Sequence, residues 1–154
     1  MQSHQPQFQK QLEKALVNFI IEDLQFLNII KSESFINFIK MLDSRFVIPK
    51  SNAIKSLIHS SFTHTFNILL NKLSLVNYVA CTTDLWTARN RQGYLGVTCS
   101  WIDDDYNLNE NLLVLSHLPS PHTAASIHKK LENVFIEWKL NEKVTSITCD
   151  NGRT

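Results

Sequence analysis

The spacing of apolar residues changes near residue 76, and that change divides the chain into a helical stretch and a stretch of strands. Phe8, Leu12, Ala15, Leu16 and Phe19 recur at helical intervals and mark one face of a first helix. Phe35, Ile36, Ile39 and Leu42 mark a second, with Ser32 or Ser34 as its N-cap. Pro49 disfavours helix at Ile48, so 46–50 reads as a connector. Ser51 then caps a long third helix whose face runs Ile54, Leu57, Ile58, Phe62, Phe66, Leu69, Leu70 and Leu73.

Beyond that point β-branched and aromatic residues dominate. Strands are predicted over 76–84, 94–102 and 108–118, a helix on Ala124, Ile127, Leu131, Val134, Phe135 and Trp138, and a last strand over 143–149. Asp103-Asp104-Asp105 is a tight turn, and Asp150-Asn151-Gly152 another. Thr123 or His122 caps the fourth helix. Short loops make the first three strands an antiparallel meander. The intervening helix returns the fourth strand parallel to one already laid down, by a right-handed crossover. The expected organisation is a helical region over 1–74 and an α+β (or α/β) unit over 75–154.

Composition limits function. The chain is 44% hydrophobic and 19% charged, which suits a packed core rather than disorder. A net charge of +1 gives no overall electrostatic signature for nucleic acid. No apolar run is long enough to span a bilayer. Three well-separated cysteines fit a reducing compartment, and Cys81, Cys99 and Cys149 are expected as small buried hydrophobes in neighbouring strands.

Chemistry is expected at Asp84 and Asp150, each at the C-terminal end of a predicted strand. If the fourth strand lies beside the first, about 4.8 Å away, two carboxylates at matching heights can share a divalent cation. Hard oxygen ligands of this kind suit Mg²⁺ or Mn²⁺ and phosphate chemistry. The bland alternative is a pair of turn-starting aspartates, and spacing alone favours it. Arg89 and Arg91 follow Asp84 in a loop, as phosphate ligands or as solvated side chains. Trp86 either touches a base or packs over the end of the sheet.

Several blocks in register shift that balance. Cys81-Thr-Thr-Asp-Leu-Trp-Thr87 is followed by Tyr94-Leu-Gly-Val-Thr98 and Trp101-Ile102-Asp103, then His122-Thr123, Glu137-Trp138 and Ile147-Thr-Cys-Asp-Asn151. Upstream stand Asp23-Leu-Gln25, Phe35 through Asp43, Arg45-Phe46 and Pro49. From about residue 20 onward this series resembles the hAT DNA transposases, in the branch related to BED-type zinc-finger proteins. The resemblance implies the front part of a ribonuclease H-like core with strand order 3-2-1-4. It implies Asp84 and Asp150 as the first two catalytic, metal-binding acids of a triad using Mg²⁺ or Mn²⁺, with DNA as partner, the nucleus as location and a homo-oligomer as the full-length form. The family's third acid, a downstream Glu, has no counterpart in this sequence. The expectation is therefore a fragment that is inactive alone, from a protein performing DNA cleavage and strand transfer. The alternatives are a domesticated, non-catalytic DNA-binding or transcription-regulating protein, or a degenerate element copy.

Overall fold

The computed structural model describes residues 4–89, 91–120 and 123–150. Among the described residues, four helices and four strands follow in the order α1 (Pro6–Glu22), α2 (Glu33–Leu42), α3 (Ser51–Leu75), β1 (Val79–Thr87), β2 (Gly93–Ile102), β3 (Leu108–Leu118), α4 (Ala124–Glu137) and β4 (Val144–Cys149). A short 3₁₀ segment, Leu27–Lys31, precedes α2 and was not foreseen. The chain forms two compact units, Met1–Phe66 and Asn67–Thr154, with the division inside α3.

The first unit is built on α1. Its Leu16, Val17 and Ile20 are buried, and with Ile30 and Ile54 they form a core flanked by Phe35, Phe46, Ile48, Leu57 and Ile58. The buried stripe is turned relative to the expected one, for Ala15 is exposed and Phe8 and Phe19 are partly so. Phe19 instead stacks on Phe35 of α2, with centroids 6.3 Å apart. Ser32 sits at the N-cap of α2 as expected, without a side-chain capping bond. Ser51 is the first helical residue of α3 rather than its cap, and the Ile54 amide donates to Lys50 O.

α3 is buried at both ends, at Ile54 and Leu73, while residues 59–65 between them are exposed. Phe62, expected on the packed face, is 64% exposed. Polar residues survive in this helix because they satisfy themselves locally. Thr63 Oγ1 donates to His59 O at 3.0 Å, and Ser56 Oγ to Asn52 O at 3.0 Å.

The second unit is a mixed sheet of order β3-β2-β1-β4. β1 pairs antiparallel with β2, β2 antiparallel with β3, and β1 parallel with β4. That is the order expected, and α4 makes the crossover. Val79, Cys81, Leu95, Val97, Cys99 and Trp101 alternate onto one buried face, and Val134, Trp138 and Leu140 in and after α4 are buried with them. Thr123 caps α4 by accepting from the Ser126 amide at 3.2 Å. The alternative cap His122, the turn former Asn90 and the turn residues Asn151 and Gly152 lie outside the described residues. Lys143 Nζ donates to Leu73 O at 2.8 Å and Ser74 O at 2.9 Å, placing a cation on the carbonyls that end α3.

Candidate functional site

β1 starts and ends three residues later than expected, which changes the setting of Asp84. The strand runs through Asp84 to Thr87, because the hairpin closes only at Ala88, whose amide donates to Gln92 O at 2.9 Å. Asp84 therefore lies within a strand, opposite Gly96 of β2, rather than at a strand end. Asp150 does follow β4 directly.

Parallel pairing aligns Thr82 with Thr148 and Thr83 with Cys149. One residue further along each strand stand Asp84 and Asp150. Alternation within β1 puts Asp84 on the face of Thr82, opposite the buried face, while Asp150 follows the last residue of β4. Both aspartates are exposed. On that face the Thr82 and Thr98 hydroxyls hydrogen-bond each other, and Ser100 Oγ donates to Ala80 O at 3.3 Å. The floor beneath the carboxylates is thus polar and internally satisfied.

Arg89 and Arg91 are exposed in the β1–β2 loop, where the Arg91 amide donates to Ala88 O at 2.8 Å. Arg91 adopts a left-handed backbone, φ 63°. Among the described residues no carboxylate pairs with either guanidinium.

The cysteines divide. Cys81 and Cys99 are buried and directly opposed across β1 and β2, whereas Cys149 is exposed, against expectation. Cys149 sits on β4, the edge strand of the sheet among the described residues. Cys149 pairs with Thr83 rather than with either cysteine, and among the described residues no group of three His, Cys, Asp or Glu is placed to hold a metal.

A feature missed from sequence is a row of rings beside Asp84. Trp86, Tyr94 and His117 come from β1, β2 and β3 and are successive register partners. Trp86 and Tyr94 stack at 5.9 Å between centroids, and Tyr94 meets His117 edge-on at 5.8 Å. The indole lies over Gly96, where a Cβ would come within 3.3 Å of Trp86 Cζ3. Trp86 thus packs on the sheet surface. Its partners could have been found only by counting register across two hairpins.

The ZBED1 RNase-like domain family matches residues 82–154, a span that starts two residues before Asp84 and includes Asp150. The chain is similar to transposases and to BED zinc finger proteins. It is 28% identical over 142 residues to a putative AC transposase of Zea mays, covering 92% of this chain and 18% of that protein. It is 25% identical over 126 residues to the zinc finger BED domain-containing protein RICESLEEPER 3 of Oryza sativa subsp. japonica, covering 81% of this chain and 17% of that one. A putative transcriptional regulator, tpeD, of Talaromyces stipitatus is 28% identical over 106 residues, 69% of this chain and 12% of its own length. The chain thus spans less than a fifth of the length of these curated relatives. The matched span belongs to a sheet of order β3-β2-β1-β4, consistent with an RNase-like fold.

Proposed function

We propose that Asp84 and Asp150 are two ligands of a divalent-cation site, for Mg²⁺ or Mn²⁺, used by the complete protein in DNA cleavage and strand transfer. The observation that carries this reading is the parallel β1–β4 register, which pairs Thr82 with Thr148 and Thr83 with Cys149, the residues that immediately precede Asp84 and Asp150. The donor set fits such an ion: two carboxylates, reachable from solvent, on strands about 4.8 Å apart, supply hard oxygens and leave room for water and phosphate. When bound, the cation supplies Lewis-acid polarisation of a phosphate and a nucleophile at neutral pH. The chain's own contribution is positional. Asp84 is held within β1 and Asp150 directly follows the adjacent β4, and Arg89 and Arg91 offer guanidinium groups to phosphates arriving at that end of the sheet. On this reading the protein acts on DNA in the nucleus, as a homo-oligomer in its complete form.

The test uses the full-length protein with Mg²⁺ and a DNA substrate. Asp84→Asn and Asp150→Asn should each lower cleavage by more than about 100-fold, since loss of a direct ligand exceeds the 10–100-fold cost of outer-shell changes. Unchanged cleavage in either variant refutes that residue's assignment. Likeness to BED zinc finger proteins and to a putative transcriptional regulator favours a second reading, a non-catalytic DNA-binding regulator. Wild-type full-length protein that binds DNA but does not cut it in Mg²⁺ or Mn²⁺ would establish that one instead.

A further inference from the structure

The row of rings beside Asp84 has a chemistry of its own. The chain has three tryptophans; Trp101 and Trp138 are 6% and 5% exposed, and Trp86 is 37% exposed. Large aromatics leave water when packing alone governs their placement. Trp86 stays partly in solvent, in line with Tyr94 and with the exposed ring of His117. The row crosses three strands, about 10 Å at the ordinary strand spacing. It lies at the end of the sheet where the β1–β2 loop carries Arg89 and Arg91, and two residues along β1 from Asp84 on the same face.

We propose that Trp86, Tyr94 and His117 form a stacking platform for an unpaired base of a DNA strand, with Arg89 and Arg91 taking the neighbouring phosphates. This rests on the reading of DNA as partner, and deepens it by naming the state of the DNA. Rings on a sheet surface offer π-faces to bases, and cations beside them track a backbone; the combination is that of single-strand binding surfaces. Bases inside a duplex are stacked on their neighbours and present no free face. An apolar protein segment would be drawn instead to Leu112 and Leu115, exposed on the same face further along β3, where no arginine stands.

The experiment is a titration of the full chain with a short oligo(dT), in EDTA and at low salt, following both anisotropy of the labelled strand and tryptophan emission. With EDTA present the outcome is independent of the cation site, so this inference and the carboxylate assignment can fail separately. Binding should quench emission, and the quench should vanish in Trp86→Phe while affinity remains. Trp86→Ala should weaken binding by about 5–100-fold, the range expected for one stacked base. His117→Ala, at the exposed end of the row, should weaken it less and serves if Trp86→Ala does not fold. A closed dumbbell duplex should bind more weakly than the single strand. Saturation without a change in tryptophan emission, alanine variants that bind as tightly as wild type, or a dumbbell that competes equally well would each overturn the proposal.

Discussion

Cys81, Cys99 and Cys149 are one side-chain chemistry in two environments. Cys81 and Cys99 are 1% and 0% exposed and face each other across β1 and β2. The hydrogen bond to Cys81 and burial together push the Cys99 thiol above its ordinary range. The same hydrogen bond draws the Cys81 thiol down, so burial, which keeps reagents from both sulfurs, is what should leave this pair inert in the native state. Cys149 is exposed. A thiol reagent that reports stoichiometry should therefore titrate one cysteine quickly in native protein and all three after denaturation. Rapid reaction of two or three native thiols would mean that the buried face opens readily. Sequence gave all three cysteines the same expectation because each lies in an apolar strand. What separates them is whether another element covers the strand, which no local pattern reports. For the aspartates, a resemblance marked Asp84 and Asp150, and the parallel register pairs the residues that immediately precede them.

At the level of elements, loop lengths and the period change were enough for the meander and the parallel return, since short connections force a meander and a helical crossover forces a parallel return, while the order 3-2-1-4 came from the resemblance. Boundaries were less legible. β1 continues past Asp84 because Gly93 to Leu95 of β2 pair with Leu85 to Thr87, a constraint from the partner strand rather than from β1 itself. The aromatic row went unseen for the same reason. The β2–β3 turn, by contrast, was readable from its three aspartates, and the structure shows how it works. Asp103 accepts from the amides of Asp105 and Asn107 at 3.1 and 2.8 Å, and its second oxygen accepts from Asn109 Nδ2 at 2.9 Å. The bond from the Asn109 side chain, followed by that from the Asn107 amide, holds the Asp103 carboxyl below the usual carboxylate range. A carboxyl whose folded pKa is depressed stabilises the fold above its unfolded pKa, about 3.9. That contribution is lost as pH falls through the folded value. Melting temperature measured between about pH 6 and pH 3 should drop less steeply in Asp103→Asn than in wild type. Equal slopes would show that the turn does not depend on the ionised form.

For the whole molecule, the informative element is α3, which belongs to both units. Ile54, at 0% exposure, sits in the core of Leu16, Val17, Ile20 and Ile30, whereas Leu73, at 1%, belongs to the unit that contains the sheet. From sequence the helix reads as one continuous apolar face. The structure divides that face, because Phe62 and the polar residues around it remain in solvent between the two buried ends. Ile54 and Leu73 stand nineteen positions apart in the sequence and belong to different units. Each alanine substitution should cost about 2–5 kcal/mol, the usual penalty for emptying a buried aliphatic site. With one site in each unit, the two penalties should add to within about 0.5 kcal/mol in the double variant. The more telling readout is hydrogen exchange. Ile54→Ala should lower protection in α1 and the first turns of α3 and leave β1, β2 and β3 unchanged. Leu73→Ala should do the reverse. If either substitution lowers protection equally in both units, α3 transmits stability along its exposed middle and the chain unfolds as one cooperative body. If each stays within its own unit, the helix joins two separately stabilised cores, and the sheet that carries Asp84 and Asp150 owes its stability to its own packing.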